Sequence, residues 1–413
     1  MLIKTVLNRV HKVKGFVYQK VRFDDGEVEV EVRPRRGSRP SCRGCGRQGS
    51  TYDHQPPRRF RFVPMWGLPV YLVYAMRRVN CPTCGPTIEM VPWAEGKSPM
   101  TRAFSWFLAA WARRLSWSEV GGIFGTNWNR VYDAVKWAVS YGLVHRNLDG
   151  ITAIGVDELA YRKGHKYMTV VYQINADHRR LLWIGWDRTE TTLRNFFTWF
   201  GEARSAALRY VCSDMWKPYL NVIREKATGA LNILDRFHIM SNMNKALDEV
   251  RREEARRLRE DGKDPVLKHT RWCILKRVAN LTTNQVSTLC ELLAMNLKTV
   301  KAYLMKEDFH QFWEYTYPAN AGKFLDGWCR RVMRSRIEPM KKLARSLRAH
   351  RALLLNWFAA RKQFSSGIVE GMNNKLKTTA RKSYGFGTQE VLQVALYHTL
   401  ADLPLPPITH RFC

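Results

Sequence analysis

Acidic residues are scarce in this chain. Against 68 Lys and Arg stand 36 Asp and Glu, a formal charge of +32 over 413 residues. A surplus of that size points to a polyanionic partner, most often nucleic acid, rather than to charge that serves solubility alone. Long apolar runs are also missing. No segment is long enough to cross a bilayer, and neither end carries a Lys/Arg-rich amphipathic anchor, so no membrane partner is expected. The start, Met1 to Arg9, lacks the apolar core and small-residue cleavage site of a signal peptide, so a cytoplasmic protein is expected. Cysteine is present in an odd number, nine, which argues against a closed disulfide framework. Cys212, Cys273, Cys290, Cys329 and Cys413 are scattered and read as small core residues or inert thiols.

What is there describes a folded, multidomain α/β protein: 45% of residues are hydrophobic and 12% aromatic. Residues 1–95 read as a β unit. Asp24-Asp25-Gly26 marks a turn, and Glu27 to Val32 alternates strictly, as a strand with one wet face does. Phe60–Val63 and Val70–Tyr74 read as further strands. Cys42-x-x-Cys45 and Cys81-x-x-Cys84 are separated by 35 residues (46–80), and Gly46 and Gly85 follow the second Cys of each pair. Two such knuckles supply the four thiolates of a tetrahedral structural zinc site. His54 is read as a surface or structural histidine. Arginines crowd the first knuckle, which suggests contact with a DNA backbone.

Residues 100–146 read as helical, with Phe104, Phe107, Leu108 and Trp111 at helical spacing. Ser116 and Glu119 form a capping-box pattern, a Gly-containing turn follows, and Thr126 is the expected cap of a second helix from about Asn127. This is a helix-turn-helix pattern. Its candidate DNA contacts are Asn127, Asn129 and Arg130.

Residues 151–240 change to alternating patterns: strands at Thr152–Asp157, Tyr167–Asn175 and Arg180–Asp187, a helix at Thr189–Gly201, a strand at Tyr210–Asp214, a helix at Pro218–Lys226 and a strand at Leu231–Leu234. That succession is the one found in an RNase H-like fold. Residues 241–362 read as an all-helical insertion, and residues 363–405 as the final helices of the catalytic unit. Within the insertion, Arg330 to Arg351 reads as a phosphate-tracking helix, with Arg334, Lys341, Lys342 and Arg345 as candidate DNA contacts. Trp313, Trp328 and Trp357 are expected in its core.

Three acids are decisive. Asp157 and Asp214 each close an apolar run and are expected at strand ends; Glu370 lies near the start of a helix. Carboxylates so placed can hold two hard divalent cations, Mg²⁺ or Mn²⁺, which in a phosphoryl-transfer site stabilise the attacking and leaving oxygens. Glu370, Asn373, Asn374 and Lys377 are spaced i, i+3, i+4, i+7 and are expected on one polar helix face. Asp235 and His238 follow the last strand and are expected to support the site.

The segments Gly155-Val156-Asp157-Glu158, Cys212-Ser213-Asp214-Met215, Asp235-Arg236-Phe237-His238-Ile239 and Ile368 to Lys377 resemble the DDE transposases of bacterial insertion sequences. Order as well as content is similar over nearly the whole chain to the ISL-type group, which has an N-terminal zinc domain, a helix-turn-helix and an interrupted RNase H-like core. The resemblance implies Asp157, Asp214 and Glu370 as the metal-binding triad and Lys377 as the basic residue seven positions after the glutamate. It implies binding of terminal inverted repeats, cleavage that frees a 3′-OH, and joining to target DNA, by a homodimer or larger assembly at the nucleoid. The alternative expectation is a transposase-derived DNA-binding regulator that does not cut; it has no need for three separated carboxylates.

Overall fold

The computed structural model describes residues 3–162, 164–363, 366–382 and 386–406; Cys413 and Ser365 lie outside them. The chain falls into two compact units, residues 1–147 with 378–413, and residues 148–377. The β segment and the helical hairpin, read separately in the sequence, thus share a unit.

In the first unit α1 (Ile3–Val10) packs on β1 (Phe16–Asp24), and β1 pairs antiparallel with β2 (Glu27–Pro34). Their turn places Asp25 and Gly26 at φ 39° and 77°, the left-handed conformation that a tight hairpin requires. β3 (Ser50–Met65), β4 (Leu68–Cys81) and β5 (Gly85–Ile88) complete a sheet in the order β1-β2-β4-β3, with β5 on β4. β3 is longer than its sequence suggests. β3 runs through Pro56 and Pro57 because it is an edge strand with a register shift between His54 and Pro57, where a missing N–H is tolerated. Alternate residues of β2 and β4, such as Val28, Val30, Val70 and Leu72, are fully buried with Phe60, Tyr74 and Trp93.

α2 (Arg102–Ala112), α3 (Trp117–Ile123) and α4 (Trp128–His145) follow. Ser116 and Glu119 form the capping box of α3. The cap of α4 is Asn127, not Thr126. Asn127 has extended backbone and its Oδ1 accepts from Arg130 N at 3.0 Å, while Thr126 N closes the turn on Gly121 O. The last helix, Gln389–Leu400, is capped by Thr388, and it packs on α4, with Lys136 paired to Glu390. It therefore lies outside the unit that holds the acidic triad, a long-range preference that local sequence does not report.

The second unit is built on β6 (Ala153–Arg162), β7 (Lys166–Ile174), β8 (Arg179–Trp186), β9 (Tyr210–Ser213) and β10 (Leu231–Leu234), in the order β10-β9-β6-β7-β8. β6, β7 and β8 form an antiparallel meander; β9 and β10 run parallel to β6. α5 (Glu190–Phe200), α6 (Glu202–Ala206) and α7 (Lys217–Lys226) supply the crossovers. Leu193, Phe196, Phe197 and Phe200 of α5 bury against Ile154, Val156 and Val171.

The insertion begins at once after β10. Asp235 caps α8 (Arg236–Glu260), followed by α9 (Arg271–Leu275), α10 (Thr283–Leu293), α11 (Lys298–His310), α12 (Pro318–Met333), α13 (Glu338–Ala349) and α14 (Arg351–Ala359). Trp313, Trp328 and Trp357 are buried, as expected. The basic stretch is not one helix. It spans the end of α12, the loop 334–337 with Arg336 at φ 59°, α13 and the start of α14. Pro339 explains the break: it lacks an N–H and is tolerated only in a helix's first turn. α14 packs beside β10, where Asn356 Nδ2 donates to Asn232 O at 2.8 Å, so the insertion's last helix is also part of the sheet's surround. α15 (Ser366–Arg381) follows. No helix among the described residues is long and apolar enough to cross a membrane.

Candidate active site and zinc centre

Asp157 lies in the middle of β6 rather than at its end. β6 continues to Arg162 along β7, but β9 pairs with it only over Ala153–Gly155. On that side the sheet edge opens immediately before Asp157. Asp214 follows the last residue of β9, so parallel pairing brings both acids to one cleft. Asp157, Ser213, Asp214, Leu234, Asp235 and Val369 line it.

α15 closes over β6 because of a glycine. A Cβ on Gly155 would meet Val369 Cγ2 at 2.6 Å, closer than side chains pack. Gly155→Ala is expected to destabilise the protein by about 1–3 kcal/mol, by overpacking. It should also slow turnover by lifting α15; chemical denaturation and a cleavage assay measure the two effects.

The buried face of α15 carries Val369, Met372, Asn373 and Leu376, while Glu370, Asn374 and Lys377 are exposed. The expected single polar face is thus divided, since Asn373 turns inward. Its Nδ2 donates to Asp157 Oδ2 at 2.5 Å, and its Oδ1 accepts from Tyr172 Oη at 2.9 Å. Asp157 Oδ1 accepts from Glu158 N at 2.8 Å, and Asp214 Oδ1 from Trp216 N at 3.0 Å. Asp235 is half spent on its cap, accepting from Phe237 N at 2.7 Å, and its other oxygen lies 3.7 Å from His238 Nε2.

The electrostatics are those of an under-neutralised acidic cluster. Burial pushes the Asp157 carboxyl up, against the Glu158 N–H, the His238 ring and Asn373. Burial and the Asp214 charge push Glu158 up to about 7, with Arg188 opposing. Hard oxygen donors brought together at such a cost fit a divalent cation. The three carboxylates of Asp157, Asp214 and Glu370 do not all lie within 4.8 Å of one another. Glu158 and Arg188 pair next to Asp214, with Arg188 Nη2 2.9 Å from Glu158 Oε1 and 3.7 Å from Asp214 Oδ2, although sequence patterning does not single them out; a signal existed in Glu158, an acid next to Asp157 where the strand's alternation places an apolar residue.

Among the described residues one group of His, Cys, Asp and Glu brings three or more ligand atoms within 4.8 Å of each other: Cys42, Cys45, Cys81 and Cys84. Cys45 Sγ and Cys81 Sγ are 3.5 Å apart, near the edge of about 3.8 Å for a tetrahedron with Zn–S bonds of about 2.3 Å. Gly44 N donates to Cys42 Sγ and Cys84 N to Cys81 Sγ, and the Cys84 N–H holds the Cys81 thiol down at about 6. Arg47 ties one knuckle to Thr83 of the other. The set fits structural zinc. His54 lies on β3 outside it.

The candidate DNA contacts divide. Asn127 spends its oxygen on the α4 cap, Asn129 is exposed, and Arg130 lines a polar cleft with Glu95 and Asp133. Trp128, which the sequence reading passed over, is 51% exposed beside Asn129. In the insertion Arg334 and Lys342 are exposed, whereas Lys341 and Arg345 both pair with Glu338.

Residues 154–396, more than half the chain, match a family model described as transposase of the ISL3 type, and residues 38–84 match one described as the zinc finger of the transposases of IS204, IS1001, IS1096 and IS1165. The chain is 29% identical to the transposase for insertion sequence element IS1557 of Mycobacterium tuberculosis, over 92% of this chain and 89% of that one. It is 28% identical to the transposase for insertion sequence element IS1001 of Bordetella parapertussis, over 84% of this chain and 86% of that one. With its four-cysteine zinc ribbon and its acidic cleft, the chain belongs to the ISL3-type DDE transposases, metal-dependent enzymes that cut DNA and transfer its strands.

Proposed function

We propose that Asp157, Asp214 and Glu370 hold the catalytic metal ions in an RNase H-like core, and that the chain cuts the terminal repeats of an insertion sequence and joins the freed 3′-OH to target DNA. The observation that carries this reading is the convergence of Asp157 and Asp214 in one cleft against α15, the helix of Glu370. Two Mg²⁺ or Mn²⁺ ions bound there supply Lewis-acid stabilisation of the attacking and leaving oxygens. Asp157, held by Asn373 and the Glu158 N–H, presents a fixed carboxylate. Asp214 is oriented by the Trp216 N–H. Asp235 and His238 support the rim of the cleft, and Asn374 and Lys377 extend the exposed flank of α15 beside Glu370.

The helical hairpin α3–α4 is the proposed reader of the repeat, with Asn129 and Trp128 at the exposed start of α4. Arg334 and Lys342 meet phosphates, as do Lys341 and Arg345 once drawn from Glu338. Pairing two ends requires at least a dimer, working on DNA in the cytoplasm at the nucleoid.

The triad assignment is tested by Asp214→Cys. Thiolate is a poor ligand for Mg²⁺ and a better one for Mn²⁺. The expected result is an enzyme inert with Mg²⁺ that recovers part of its cleavage with Mn²⁺. Full activity of Asp214→Cys with Mg²⁺ contradicts the assignment.

A further inference from the structure

We propose that Arg188, clamped by Glu158, is a positioning residue for Asp214. The inference rests on the reading of Asp214 as a metal ligand. Glu158 follows Asp157, and strand alternation sends its side chain to the other face of β6. There its Oε1 accepts from Arg188 Nη2 at 2.9 Å, and the same nitrogen lies 3.7 Å from Asp214 Oδ2. The Arg188 guanidinium lies over the Trp216 ring, 4.4 Å from its centroid. Trp216 in turn donates its backbone N–H to Asp214 Oδ1. One oxygen of Asp214 is thus held by Trp216, and the other faces the cation stacked on Trp216.

The backbone that delivers Arg188 is strained. Asp187 sits at φ 100°, unusual for a residue with a side chain. It is pinned by its N–H donating to Tyr167 O at 3.0 Å and its carbonyl accepting from Thr169 Oγ1 at 2.7 Å. Thr169 Oγ1 also bonds Tyr219 Oη at 2.6 Å, and the Tyr219 ring packs edge-on against Trp216. The chain of contacts closes from the strained turn back to Asp214.

A pair built for stability looks different in this same protein. Arg77 and Glu89 are joined through both Nε and Nη2, while Tyr74 Oη and Arg77 N fill the remaining acceptor. Glu158 and Arg188 share one bond and leave Glu158 Oε2 and Arg188 Nε buried without partners. With Glu158 12% and Arg188 31% exposed, this is no freely solvated surface pair either. The geometry favours placement of Nη2 beside Asp214 over full satisfaction of the pair.

The test uses the full chain as wild type, Glu158→Gln, Arg188→Ala, the double variant, Arg188→Lys and an Asp214→Asn control. Mn²⁺ binding is titrated, and cleavage rate and DNA-end affinity are measured. Each single substitution is expected to weaken Mn²⁺ binding and cleavage by about 10–100-fold, the range for groups that orient a metal ligand. DNA-end affinity should stay unchanged, and Arg188→Lys should recover part of the loss. The double variant should be no worse than Arg188→Ala, because Glu158 acts through Arg188. Unaltered Mn²⁺ binding in both single variants overturns the proposal, as does an added loss from Glu158→Gln in the Arg188→Ala background. A loss confined to DNA affinity also overturns it and makes Arg188 a phosphate contact. If Asp214→Asn itself binds Mn²⁺ and cuts DNA, the fault lies with the triad assignment rather than with the clamp.

Discussion

Asp157→Asn is expected to bind DNA ends as the wild type does and to cut them on the order of 10⁴-fold more slowly, about 5.5 kcal/mol of barrier. The substitution keeps shape and removes charge. Asp157 accepts at both oxygens, from Asn373 Nδ2 and from Glu158 N. An amide in its place must present its NH₂ to one of these donors. The lost bond is offset by relief of a buried charge whose carboxyl burial already pushes upward, so the melting temperature should stay near that of the wild type. The loss should therefore appear in chemistry rather than in folding. Cleavage at wild-type rate would remove Asp157 from the site.

Stripping zinc should have the second large effect. Structural zinc contributes roughly 10–16 kcal/mol of apparent binding energy in small zinc domains, and that energy orders the knuckles. Here the knuckles have little core of their own. Cys42 and Cys81 are buried, but Arg43, Gly44, Cys45, Gly46 and Arg47 are exposed. The valine- and aromatic-rich core of the sheet is a separate cluster and should survive. Chelation, or Cys45→Ser, is expected to open Arg43 and Arg47 to trypsin and to abolish end binding, with the second unit intact. Metal analysis should find one zinc per chain before treatment. End binding that survives complete zinc removal would contradict a role for the ribbon in DNA recognition.

Much of this site is legible in the sequence because its signals are local. Apolar runs closed by Asp157 and Asp214 mark adjacent strands, and paired cysteines followed by glycine mark the knuckles. The capping box at Ser116 and Glu119 fixes a helix start. What escapes such reading depends on long-range contact or on competing local choices. Thr126 and Asn127 are both good caps, and only the closing bond from Thr126 N to Gly121 O decides between them. Asn373 looks like part of a polar stripe until Gly155 draws α15 so close that it meets Asp157. Arg188 follows a residue with positive φ, for which Asp187 gives no sequence signal. The break before α13 was readable from Pro339, but the density of arginines masks it. The docking of Gln389–Leu400 on α4 has no local mark at all.

Glu370, exposed on α15, is expected to complete the site of Asp157 and Asp214. The most direct measurement compares wild type with Glu370→Gln on DNA carrying the ends that flank this gene, with Mg²⁺. Cleaved and joined products from the wild type, and end binding without products from Glu370→Gln, are the predicted result. Products formed equally by both proteins would contradict it.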